Sequence, residues 1–309
     1  MLYDLAIIGG GPAGTAAGVY AARKNLKTVF ITESFGGQSV VSDEIQNWVG
    51  DVSVSGVELA KRFEKHLRAQ EGIEIIFSDK AVKLEKMENG EEVSFKITTE
   101  KGKKFETKAV FLAMGAKRRK LNVPGEEEFS GKGVAYCATC DAPLFRGKSV
   151  AVVGGGNAGL EAAFDLLSYA EKIYVLEYTD VLRGDEVTKK KLQESGKTEF
   201  LMMAEILKIE GEKLVSGLKY KDRKTGEEKG FSAQGVFVEI GSMPNSDLVK
   251  DLVKLNERGE IIVDHKTQAA SCLGIWAAGD VSDVLYKQNN ISAGDAVKAV
   301  LNIQEFLNK

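Results

Sequence analysis

Four prolines, three cysteines and two histidines among 309 residues leave little material for several common designs. Three cysteines cannot staple a disulfide scaffold. A structural zinc site needs four Cys/His ligands, and Cys272, His66 and His265 all lie far along the chain from the remaining two cysteines. Cys272 reads as a small buried residue before an apolar strand, and both histidines sit among polar neighbours as surface groups. No run approaches the roughly 18 apolar residues of a membrane span. The first strand-like stretch, "YDLAIIGGG", opens at Tyr3 and leaves no room for a signal peptide, so a cytoplasmic location is expected. A net charge of −3 provides no basic face for nucleic acid.

Glycine is what the chain has in excess. There are 33, clustered at strand ends rather than spread through a linker, and the length suits two domains with separate cores. "DLAII" reads as a strand, "GGGPAG" as a tight turn, "TAAGVYAARKN" as a small-residue helix and "KTVFITE" as a second strand. Gly9, Gly11 and Gly14 then form G-x-G-x-x-G, and Glu33 stands 19 residues beyond the last of them. Such a βαβ unit lets backbone approach a pyrophosphate at the positive end of a helix, while the acid accepts from ribose hydroxyls. The unit recurs in "KSVAVVGGGNAGLEAAFDLLSYAEKIYVLE", with Gly154, Gly156 and Gly159 and with Glu177 placed 18 residues on. Two dinucleotide folds imply two dinucleotides, or a flavin and a nicotinamide.

"AVFLAMGAKRR" ends a strand at Gly115 and "GVFVEIGSMPNS" ends another at Gly241, each closing a dinucleotide half. "GIWAAGDVSDV" delivers Asp280 at the end of an apolar strand, ahead of a helical C-terminal stretch. Residues 116–245 are therefore expected to form an inserted domain, with 1–115 and 246–309 making the discontinuous other. The expected fold class is α/β: two Rossmann-like domains of three-layer ββα type, one inserted in the other. An amphipathic helix and an antiparallel sheet flanking the main one fill the stretch before Gly115. The charged runs "KLEKMENGEE" and "KDRKTGEEKG" read as turns without chemistry.

The remaining cysteines, Cys137 and Cys140, form "CATCD" with Asp141 adjacent. Beside a dinucleotide fold and with no third ligand, the pair points to electron transfer rather than to a metal. "CATCD" followed by "GGGNAG", with "GGGPAG" at the start and "AAGDV" near the end, resembles bacterial low-molecular-weight thioredoxin reductase over essentially the whole chain. "GAKRRKLNVPGEEEF", "DAPLFRGK" and "LEYTDV" look closer still to the flavoprotein subunit of alkyl hydroperoxide reductase. That subunit carries an additional N-terminal thioredoxin-like region; nothing like it precedes Met1, so its partner function is expected in trans.

The resemblance implies FAD at Gly9, Gly11, Pro12, Ala13, Gly14 and Glu33, at Gly37 and Gln38 of "GGQ", at Asn47, at Gly115, at Gly279 and Asp280 of "AGD", and at Gln288. It implies a nicotinamide at Gly154, Gly156, Asn157, Gly159 and Gly241. Cys140 would face the flavin, Cys137 would exchange with a thioredoxin-like or glutaredoxin-like protein disulfide, and Asp141 would protonate the departing thiolate. Relatives also suggest a homodimer, and a rotation of the inserted domain so that the flavin meets nicotinamide and disulfide in turn. NADPH-specific members resemble His-Arg-Arg plus a further Arg after the second strand. Here "LEYTDVLRG" keeps only Arg183 and places Glu177 where it repels a 2′-phosphate, so NADH is expected over NADPH. A rival within the class is the reductase of an NADH-dependent peroxide-reducing system with a separate glutaredoxin-like or peroxiredoxin partner. A rival outside it, a non-catalytic flavin- and nucleotide-binding regulator, leaves the cysteine pair without a purpose.

Overall fold

The computed structural model describes residues 1–42, 44–89 and 92–308. In chain order the elements are β1 (Leu2–Ile8), α1 (Pro12–Arg23), β2 (Thr28–Thr32), α2 (Gly56–Arg68), β3 (Ile73–Phe77), β4 (Ala81–Asn89), β5 (Glu92–Thr99), β6 (Lys104–Leu112) and β7 (Ala116–Arg118). There follow β8 (Val134–Ala135), α3 (Ala138–Asp141), β9 (Ser149–Val153), α4 (Asn157–Leu166), β10 (Lys172–Leu176), α5 (Glu186–Glu194), β11 (Thr198–Leu201), β12 (Ala204–Gly211), β13 (Val215–Asp222), β14 (Glu228–Ser232), β15 (Gly235–Val238) and β16 (Ser242–Pro244). The last two are β17 (Ile275–Ala277) and α6 (Asn289–Leu307). These elements divide into two compact units, Met1–Lys117 with Met243–Lys309, and Arg118–Ser242. The two crossings, β7 and β16, pair with each other as a two-stranded ribbon.

In the first unit, β3, β2, β1 and β6 run parallel in that order, and β17 also pairs with β6. From Leu5 to Ile8, β1 is an unbroken, buried apolar run, because a parallel strand is covered on both faces. Its alternate residues serve different layers. Leu5 and Ile7 pack with Ala17, Phe30, Ala299 and Ile303 under α1 and α6, whereas Ala6 and Ile8 pack with Phe95, Ile97 and Ile261 on the opposite face. The antiparallel stretch β6-β5-β4 continues the same sheet. α2 starts on a Ser55 cap, whose hydroxyl accepts from the Glu58 N–H at 3.2 Å, and buries Leu59, Phe63 and Leu67.

The second unit repeats the plan with β11-β10-β9-β15-β8, all parallel. Val150 and Val152 face Leu160 and Ala163 of α4. Ala151 and Val153 face Ile206, Leu218 and Tyr220 of the antiparallel layer β12-β13-β14. Each unit is thus an α/β arrangement with a helical face and a β face on a parallel sheet.

Two charged runs correct the turn reading. Residues 83–89 of "KLEKMENGEE" are strand, paired with β5, while Gly90 and Glu91 lie outside the described residues. Leu84 enters the core while Lys83 and Glu85 pair with each other on the exposed face at 2.6 Å, so alternation rather than charge decides the element. In "KDRKTGEEKG" only the centre turns, held by Asp222 Oδ1 accepting from the N–H groups of Lys224 and Thr225 at 2.9 and 3.2 Å; the ends belong to β13 and β14. Cys272 is half-buried against the core rather than fully enclosed, because it precedes the strand at a surface bend.

Candidate active site

The two glycine turns have one geometry. Gly9 has φ +115° and Gly154 φ +125°, a region that favours glycine, and their N–H groups donate to the Ile31 carbonyl of β2 and the Leu176 carbonyl of β10 at 2.9 and 2.8 Å. A Cβ on Gly14 would stand 1.8 Å from the Gly9 carbonyl oxygen, and one on Gly159 would stand 1.8 Å from that of Gly154. Helix and turn therefore touch without a side chain between them. Gly11 and Gly156 take the N-cap positions of α1 and α4.

Around the first turn lies a cavity of about 780 Å³. Gly9, Gly11, Pro12 and Ala13 form one wall, and Glu33 at the end of β2 joins them with Gly37 and Gln38. Gly115, Gly279 and Asp280 line it from β6 and β17. Gln38 Nε2 donates to the Ala116 carbonyl at 2.6 Å and reaches Asp280 Oδ2 at 3.4 Å. Side chains added at Gly11 or Gly115 would meet almost nothing, so they would fill the cavity itself. These bare walls, the helix-end N–H groups and the strand-end carboxylate fit an extended dinucleotide such as FAD. Gly14, Asn47 and Gln288 are off the wall. Gly14 seats the helix, while Asn47 Nδ2 donates to Gln288 Oε1 at 3.2 Å beside the start of α6. Asn245, which the sequence reading did not single out, joins the wall and donates to the Met114 carbonyl at 2.8 Å.

At the second turn, Glu177 is tied down. Its Oε2 accepts from the Gly155 N–H at 2.8 Å, and Oε1 accepts from the N–H and the hydroxyl of Thr179, both at 2.8 Å. Burial pushes this carboxyl up, but those three bonds and the Arg183 charge outweigh it and hold it below the usual carboxylate range. Asn157 Oδ1 accepts from the Asp185 N–H at 2.9 Å, which fixes the loop after β10. The exposed Arg183 donates its backbone N–H to Gly155, and Gly241 accepts from the Arg119 N–H at 3.0 Å. A second cation escaped the sequence reading because it comes from the β13–β14 turn. Arg223 lies 3.9 Å from the Tyr178 ring centre and donates to the Tyr178 carbonyl at 3.0 Å.

In the same unit, Cys137 and Cys140 are joined as a disulfide, with Cα atoms 5.3 Å apart. β8 delivers the chain to Cys137, whose carbonyl accepts from the N–H groups of Cys140 and Asp141 at 3.3 and 3.0 Å. Thr139, between the sulfurs, donates its hydroxyl to Asp165 Oδ2 on α4 at 3.1 Å. Tyr136 is anchored by donating to the buried Glu126 at 3.1 Å. Burial pushes the Asp141 carboxyl up to about 6, with Arg118 opposing. It can hold a proton near neutrality, as a donor to a departing thiolate must. Among the described residues no group of three or more His, Cys, Asp or Glu is disposed to hold a metal, and no helix is long and apolar enough to cross a membrane.

The fold and this chemistry have counterparts. A thioredoxin reductase from Streptococcus pyogenes superposes with a TM-score of 0.90 at 35% identity, covering 99% of this chain and 98% of that one. A Bacillus subtilis protein described as NADH dehydrogenase is 42% identical over 305 residues, 99% of this chain and 58% of its own length. A Pseudomonas aeruginosa subunit of alkyl hydroperoxide reductase is 42% identical over 306 residues, again 99% of this chain and 58% of its own length. The chain thus spans 58% of the length of these two curated relatives. The family described as pyridine nucleotide-disulphide oxidoreductase matches from residue 3 to residue 298, and this chain belongs to it.

Proposed function

We propose that the chain is an FAD-dependent, NADH-preferring protein-disulfide reductase that delivers electrons through Cys137–Cys140 to a thioredoxin-like or glutaredoxin-like disulfide. The observation that carries this reading is the disulfide itself, set beside an acid that holds its proton near pH 6 and in the same unit as the second glycine turn. FAD would be held by the first turn, Glu33, Gln38 and Asp280; a nicotinamide cosubstrate would be held by the second turn and Glu177. When bound, these groups supply a two-electron reductant for the disulfide. Cys137 then attacks the partner disulfide as a thiolate, Cys140 re-forms the internal bond, and Asp141 supplies a proton to a leaving sulfur. Units joined by β7 and β16 would use those crossings as the hinge of the rotation this chemistry requires.

Glu177 supports NADH. A carboxylate fixed by three hydrogen bonds is poised to accept from ribose hydroxyls and repels a 2′-phosphate, and Arg223 is engaged with Tyr178 rather than free beside it. The same residue favours the second reading, the reductase of a peroxide-reducing system whose thioredoxin-like component or peroxiredoxin is a separate chain. The test mixes flavin-loaded protein anaerobically with NADH or NADPH at matched concentrations and follows flavin absorbance. Fast bleaching by NADH alone is expected. Preference for NADPH would overturn the cofactor assignment, and no bleaching by either would overturn the reductase.

A further inference from the structure

Glu239 follows the last residue of β15, between the second glycine turn and the disulfide, and neither the turn motif nor the cysteine motif includes it. Its N–H donates to the Val153 carbonyl at 2.8 Å, and its own carbonyl oxygen is the atom that a Cβ on Gly154 would strike. Its side chain is 10% exposed. The carboxylate faces the backbone N–H of Ala138, the residue directly after Cys137, and Oε2 lies 3.9 Å from Arg118 Nη1. The charged groups facing it are Arg118 from β7, Asp141 from α3 and Asp165 from α4. Asp165 accepts from the Thr139 hydroxyl, so two acids face the short segment between the sulfurs at adjacent residues.

We infer that Glu239 is a positioning residue for the Cys137–Cys140 couple, holding the Ala138 backbone and setting through its charge the thiol–thiolate balance of the reduced pair. The inference rests on the reading of this disulfide as the working one. Reduction adds two electrons and two protons to the S–S bond and gives two thiols. One thiol must then lose a proton to become the attacking nucleophile, and the leaving sulfur of the partner must regain one. An ionised Glu239 disfavours that thiolate by like-charge repulsion, and a protonated one does not. Burial, opposed by Arg118 and the Ala138 N–H, pushes the Glu239 carboxyl up to about 7. The switch therefore falls where thiols begin to ionise.

The experiment uses flavin-loaded protein carrying Cys272→Ser, reduced with dithiothreitol and desalted anaerobically. Iodoacetamide alkylation of Cys137 and Cys140 is then timed by mass spectrometry from pH 5.5 to 9.5. The unmodified site should show an inflection near pH 7 ahead of the thiol's own titration. Glu239→Gln, which can still accept from the Ala138 N–H, should lose that inflection and alkylate about tenfold faster at pH 8, the effect of one removed neighbouring charge. Glu239→Asp should restore the inflection, and Arg118→Met should move it to higher pH. Superimposable profiles for Glu239→Gln and the parent would overturn the inference, as would an Asp variant indistinguishable from Gln. A separate arm adds NADH anaerobically and counts alkylated cysteines. If two fail to appear, the reductase reading falls; if two appear while the Gln profile is unchanged, only the role of Glu239 falls.

Discussion

Gly159→Ala is the sharpest test of the second turn. The new methyl would stand 1.8 Å from the Gly154 carbonyl oxygen and 2.7 Å from its carbon, against the 3.0 Å below which real Cβ atoms essentially never come. Both obstacles are backbone, so no side chain can swing aside. The start of α4 must retreat by more than 1 Å, taking with it the N–H groups that would meet a pyrophosphate. Losing one or two charge-assisted hydrogen bonds, at roughly 1.5–3 kcal/mol each, weakens NADH binding by about tenfold at the least and on the order of 10,000-fold at the most. Folding suffers less: overpacking of about 1–3 kcal/mol is partly offset by the roughly 1 kcal/mol that alanine gains over glycine within a helix. Flavin content, the NADH concentration dependence of flavin bleaching and the melting temperature separate these effects. The expected protein is yellow, folded and slow with NADH, whereas the equivalent Gly14→Ala is expected to purify with little flavin. An unchanged NADH dependence in Gly159→Ala, or loss of flavin from it, would refute the reasoning.

Asp141→Asn should separate stability from activity. A buried acid whose folded pKa is raised to about 6 contributes stability that is present below about pH 4 and lost as pH rises through 6. The Asn variant should therefore flatten that part of the melting-temperature profile and melt higher than the parent at pH 8, while disulfide reduction falls by about 100-fold; a melting curve with the parent's pH slope would refute the assignment. Glu177→Gln places an amide NH₂ against the donors that Glu177 now satisfies. It should raise the NADH concentration for half-maximal bleaching about tenfold and narrow the discrimination against NADPH, and steady-state measurements with both cofactors check it.

Periodicity and glycine spacing made the architecture legible. β1, α1, β2 and their counterparts β9, α4, β10 follow from apolar runs punctuated by G-x-G-x-x-G, and the Cys-x-x-Cys needed no structure to be seen. Contacts between residues distant in sequence were not legible. Arg223 reaches Tyr178 from a turn read as inert charge, and Glu239 meets Ala138 across a hundred positions of chain. Asn47 and Gln288 came from the motif resemblance, yet they bond each other rather than line the cavity. "KLEKMENGEE" misled because a strand with one apolar face reads as a charged turn when its alternation is overlooked.

The sameness of the two glycine turns has a further consequence. Turns superposable in dihedral angle and in helix contact cannot tell a group that stays from one that comes and goes. That difference must lie at the strand ends. Glu33 stands exposed on the cavity wall, where a resident molecule would order it once in the protein's lifetime. Glu177 is immobilised before any ligand arrives, so a visiting cosubstrate escapes an ordering cost of about 0.5–1.5 kcal/mol at every binding event. Freezing one strand-end side chain in one copy and leaving it loose in the other thus lets two copies of one scaffold differ by about two- to twelvefold in affinity without any change in the turn itself.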